Sequence, residues 1–139
     1  MQITIRPSEV VNLFDPVPDG LYRVRITEFA DKEGDKGPWC VTSLLICEGE
    51  FAEARQLSDN WMFMDSGLWR TLPKLSAFAG RDISDDEEFV FDSDEFIGLE
   101  AMVTTKQVTY PKKDGSGDGI RSEVVEYYPT DDSPVGSSI

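Results

Sequence analysis

Polar and apolar positions first alternate with a period of two in residues 18–29, PDGLYRVRITEF. Pro18, Asp19 and Gly20 make a turn, after which Tyr22, Val24 and Ile26 point one way and Arg23, Arg25 and Thr27 the other. This predicts a half-buried strand. The polar stretch ADKEGDKGP reads as a loop, and the run WCVTSLLICEGE that follows is a second, more deeply buried strand closed by Gly49. Residues 53–63, EARQLSDNWMF, suit a third strand in length and in their aromatic end.

The period then changes. In DSGLWRTLPKLSAFAG, Leu68, Leu72, Leu75 and Ala79 recur on one helical face, with Asp65 or Ser66 as cap, Gly80 as stop and Trp69 as a further core residue. Pro73 removes a backbone donor, so either the helix kinks there or a short turn leads into a helix with Pro73 in its first turn; the second option is preferred. Beyond an acidic block, residues 97–110 form a fourth strand, PKKDGSGDG a loop, and RSEVVEYYP a fifth strand ended by Pro129. Tyr127 and Tyr128 fall on opposite faces of it.

Three strands, a helix and two strands within 139 residues is the order of an OB-fold-like five-stranded barrel, all-β with one helix. A small α+β sheet is the other arrangement of these elements. Residues 1–129 are expected to form one domain, and 130–139 a flexible acidic and polar tail.

Composition changes this picture in three ways. The formal charge is -14, and residues 82–98, which contain DISDDEEFVFDSDEF, hold eight acids and no base, so more than half of that charge sits in one connection. Screening over about 8 Å leaves surfaces elsewhere close to neutral. There is no His, which removes Ser-His-Asp, Cys-His and His-metal chemistry, and DSDEFIG has Phe96 and Ile97 where a calcium loop needs a ligand and a glycine. The expectation is a protein without cofactor or metal that is not an enzyme. Cys40 and Cys47, about 23 Å apart on an extended strand and on opposite faces, do not pair. No apolar run approaches the roughly 20 residues of a membrane span and no signal core follows the N-terminus, so a cytoplasmic protein without membrane contact is expected.

The segments PDGLYRVRITEF, GPWCVTSLLICEGEFAEARQLSDNW, LWRTLPKLSAFAG, FIGLEAMVTTKQVTY and RSEVVEYYP together resemble a phage-encoded domain family of unassigned function. Its members are similar to single-stranded-DNA-binding proteins of the OB type, and the resemblance covers residues 14–129. It implies a phage or prophage protein that coats single-stranded DNA without sequence preference in the cytoplasm of the bacterial host. Its partners would be that DNA and replication or recombination proteins, with the chain a monomer or a dimer.

OB surfaces bind single strands through aromatic stacking and through cations that track the phosphates. Candidates for the first are Trp39, Trp61 and Tyr110, with Phe63 beside them; for the second, Arg23, Arg25, Lys36, Arg55, Lys106, Lys112, Lys113 and Arg121. Lys32 and Lys36, and Lys112 and Lys113, belong to the two loops expected to flank the groove, each offset by nearby Asp and Glu. Trp61 and Phe63 read first as core residues and only second as stacking platforms, and Arg23 and Arg25 suit a solvated outer face equally well. The acidic block reads first as a solvated connection. It, with Asp85, Asp86, Glu87 and Glu88, or the tail with Asp131 and Asp132, reads alternatively as a docking site for basic partners. A different class stands beside these: an acidic protein-interaction module or DNA mimic that binds a basic nucleic-acid enzyme and no DNA.

Overall fold

A computed structural model describes residues 1–2, 13–35, 37–64, 67–83 and 90–130. Strands β1 (Gly20–Gly34), β2 (Gly37–Ile46) and β3 (Gln56–Met62) are followed by helix α1 (Leu68–Ala79), a single turn α2 (Ser93–Phe96), and strands β4 (Glu100–Pro111) and β5 (Asp118–Tyr128). They form one antiparallel sheet in the order β3-β2-β1-β4-β5. The order of elements is the one read from the sequence. The sheet curls but stays open between β3 and β5, so it is barrel-like only loosely. Among the described residues no helix is long and apolar enough to cross a membrane.

Strand β1 runs five residues past its expected end at Phe29, because the polar stretch ADKEG pairs backbone to backbone with β2 down to Gly34 opposite Gly37. Ladder hydrogen bonds are indifferent to side-chain polarity, so composition misplaced this boundary. A bulge between Ile26 and Glu28 advances the phase by one residue, and Phe29 rather than Glu28 meets the core. Only Gly20 to Arg25 pair with β4. Beyond that shared section the β1–β2 and β4–β5 hairpins extend from opposite ends of the sheet.

Val24, Ile26, Leu44, Ile46, Trp61 and Val103 are fully enclosed between the curled sheet and α1. The open side is spanned by the chain before β1: Gln56 N–H donates to the Leu13 carbonyl at 2.7 Å, Val17 N–H to Ser122 Oγ at 2.9 Å, and Gln107 Nε2 to the Val17 carbonyl at 2.8 Å. Val17 is completely buried there.

Helix α1 starts five residues before Pro73, not at it. Thr71 anchors that first turn: its buried hydroxyl donates to the Met62 carbonyl at 2.6 Å and accepts from Met62 N–H at 3.1 Å. The donor that Pro73 lacks would have bonded the carbonyl of Trp69, an exposed residue whose oxygen water can satisfy. The N-cap is Gly67, with no side-chain bond; Asp65 and Ser66 lie outside the described residues. Gly80 stops the helix with φ 73°, as its position after the apolar run predicts.

Gly37, opening β2, has φ 114°, and a Cβ there would stand 2.5 Å from Met64 Cγ. Gly49 has φ 88° with open space around it. Gly37→Ala is expected to cost about 1–3 kcal/mol in urea melts, more than Gly49→Ala, the difference reporting the Met64 contact.

Candidate nucleic-acid interface

Strict alternation in β2 turns Cys40, Thr42, Leu44 and Ile46 inward and Trp39, Val41, Ser43 and Leu45 outward. In β3, Leu57 and Trp61 face the core while Ser58, Asn60 and Met62 face out. Register places Trp39 beside Met62, Val41 beside Asn60, Ser43 beside Ser58 and Leu45 beside Gln56. These eight outer positions carry no charge, in a chain of net charge -14. Across the β1 ladder Lys32 pairs with Trp39 and Arg25 with Leu45, so one cation stands at each end of the strip, with Glu28 opposite Ser43 between them. Lys32 is exposed and makes no ion pair among the described residues.

Other expected cations are already occupied. Arg23 Nε donates to Glu100 Oε1 at 2.5 Å with Glu48 at 3.9 Å, and Arg25 Nη2 reaches both oxygens of Glu53 at 3.1 and 3.3 Å. These outward-facing arginines are therefore locally neutralised rather than a free basic face. Arg55 precedes β3 instead of lying on it; its guanidinium sits 5.5 Å from the Phe51 ring centroid and donates to the Ala54 carbonyl at 2.9 Å.

The β4–β5 arm gathers a separate group. Lys106 is exposed and lies opposite Glu123; Arg121 donates to Glu123 at 2.7 Å and covers the Tyr110 ring at 5.4 Å from its centroid. Tyr110 lies against Gly119, and Lys112 and Lys113 are exposed in the hairpin turn. The two loops expected to flank one groove thus sit at opposite ends of the sheet, because β1 and β4 run antiparallel and share only six residues of each. Lys36, Asp85, Asp86, Glu87, Glu88, Asp131 and Asp132 lie outside the described residues.

Of the two tryptophans read first as core residues, Trp61 is enclosed and Trp69 is not. Trp61, a stacking candidate, is 0% exposed and packs against Phe29, Phe78 and Tyr127, so no base can reach its face. Trp69, expected in the core, is 61% exposed with Arg70 over its ring. Helix periodicity identifies a face but not its rotation; Thr71 sets that rotation through its bonds to Met62. Leu75 and Phe78 turn inward, while Leu68 and Trp69 remain out. Phe63 also belongs to packing, its ring stacked on Phe91 at 4.9 Å. Tyr127 packs inward and Tyr128 is exposed, the opposite faces expected.

Cys40 and Cys47 are free thiols. Burial is the largest influence raising both pKa values, with the Glu100 carboxylate adding to it at Cys47, so neither is activated as a nucleophile. Among the described residues no group of three or more Cys, Asp or Glu side chains is placed to hold a metal ion. Neither protein-family models nor curated proteins give a match to this chain.

Proposed function

We propose that the protein binds single-stranded DNA without sequence preference, along the outer face of β2 and β3. The observation that carries this reading is the uncharged strip of Trp39, Val41, Ser43, Leu45, Gln56, Ser58, Asn60 and Met62 on a strongly acidic chain. Trp39 is the stacking platform, and Lys32 beside it meets the phosphates. Stacking supplies about 1–3 kcal/mol per base. With few free cations, binding is dominated by stacking, is modest in affinity and weakens with salt; duplex DNA, denser in phosphate and with its bases enclosed, is disfavoured. In this role the chain is a binding protein of phage or prophage replication or recombination, working in the cytoplasm of a bacterial host.

The test is a titration of tryptophan fluorescence with a poly-dT oligonucleotide at about 20 and about 200 mM salt, beside a duplex of equal length. Quenching by the single strand that weakens with salt and is absent with duplex is expected. Trp39→Ala should lower affinity about tenfold, equivalent to about 1.4 kcal/mol, with a much smaller loss of melting temperature than the enclosed Trp61 would give, because Trp39 is half-buried. Lys32→Glu should weaken binding and flatten its salt dependence. Undiminished dT binding in Trp39→Ala, followed by a label-free method, would remove the strip as the site.

A further inference from the structure

A cleft of about 860 Å³ opens between the β1–β2 arm, α1 and residues 90–93. Its floor is apolar: Phe63, Leu68, Leu72, Leu75, Val90 and Phe91. Some of that surface faces water outright, with Leu68 37% and Val90 80% exposed, and it continues past the rim onto Met62 and Met64, both exposed. Met64 lies over Gly37, next to the Pro38 that lines the cleft. A contiguous apolar surface of this kind, with methionines whose flexible thioethers adapt to different shapes, marks an interaction site more often than an idle surface.

The charges around it select the occupant. Asp31, Glu33 and Asp92 stand at the rim, and none has a cationic partner among the described residues. Lys32 is the single cation there among the described residues. A nucleic-acid strand would bring phosphate against these carboxylates, and a second copy would bring another net charge of -14. A segment with an apolar face bordered by Lys and Arg satisfies both features: its apolar residues fill the floor, and its cations meet the rim. An amphipathic helix presents that pattern within a few turns.

We infer that this cleft is a docking site for a basic amphipathic helical segment of a partner protein. The inference goes beyond the strand-binding reading and does not depend on it, since the apolar floor of Leu68, Leu72, Leu75, Val90 and Phe91 shares no residue with the uncharged strip, although the two surfaces meet at Trp39, Lys32 and Met62.

The experiment measures fluorescence anisotropy of a labelled amphipathic Leu/Lys helix titrated with the full chain. An oligolysine of equal charge and a Leu/Glu helix of the same pattern serve as comparison probes. Saturable binding of the Leu/Lys helix is expected, at least about tenfold tighter than oligolysine, with no binding of the Leu/Glu helix. Leu68→Ser with Val90→Ser should weaken it about tenfold, leaving melting temperature and dT binding as they were, because both side chains are exposed and neither lies on the strip. Asp31→Asn with Glu33→Gln should weaken the Leu/Lys helix by a similar factor, through charge alone. Failure of the Leu/Lys helix to bind would overturn the proposal. So would oligolysine binding equally well, or affinity indifferent to both double variants, since either would assign the interaction to diffuse negative charge.

Discussion

Trp61→Ala is expected to destabilise the fold by about 3–5 kcal/mol, the cost of truncating a large enclosed aromatic. The ring is fully buried, with Phe29, Phe78 and Tyr127 centroids at 5.6, 5.8 and 6.2 Å. Its Nε1 donates to the Tyr127 hydroxyl at 3.4 Å. These neighbours come from β1, α1 and β5, so removing the indole leaves a void where three elements meet. Domains of this size have roughly 5–15 kcal/mol in total, so much of the molecule's stability goes with it. Urea melts followed by circular dichroism give the value. Oligonucleotide binding should fall only with the folded fraction, in contrast to Trp39→Ala, where binding falls further than the folded fraction accounts for. Lost binding with an unchanged melt in Trp61→Ala would put that ring in contact with ligand and overturn its placement.

The second large effect is expected at Asp59. Its Oδ2 accepts from Tyr127 Oη at 2.6 Å and from Lys74 Nζ at 2.8 Å, joining β3, β5 and α1 across the open side of the sheet. Asp59→Ala strands two donors in a partly shielded site and should cost about 2–3 kcal/mol, the range for hydrogen bonds to charged groups. Asp59→Asn, which retains an acceptor, should cost less. Tyr127 adds a pH signature. Burial first, then the Asp59 carboxylate, holds its phenol well above the ordinary tyrosine value of 10.0. The folded state therefore keeps this proton more tightly than the unfolded chain. The resulting stability is complete below the ordinary tyrosine value and is lost as pH rises from there through the raised folded value. Melting temperatures recorded upward from pH 8 should fall more steeply in the alkaline range for the native chain than for Tyr127→Phe. Parallel curves would show that the phenol carries no such linkage.

The proposed strand-binding and peptide-docking surfaces lie mostly on opposite sides of the sheet and meet at Trp39 and Lys32. Alternation sends the uncharged row of β2 and β3 outward, while the cleft lies between the inner side of the β1–β2 arm and α1. Trp39 and Lys32 line the cleft and also stand at the end of the uncharged strip, so under the two proposals a docked basic segment would set its cations beside Trp39.

The chain by itself determined what depends on neighbours in sequence. Alternation in β2 told which side chains share a face, the change of period placed a helix between the third and fourth strands, and Gly80 ended it because a left-handed residue closes a helix without a Cβ clash. Tertiary structure alone decided what depends on distant partners. Whether a given face is covered by another element enclosed Trp61 and left Trp69, expected in the core, at the surface. Backbone pairing with β2 drew a polar stretch into β1, and Glu100 and Glu53, 77 and 28 residues away, neutralised Arg23 and Arg25. Periodicity specifies direction relative to a local axis, whereas burial and charge compensation arise from groups that meet only when the chain closes on itself.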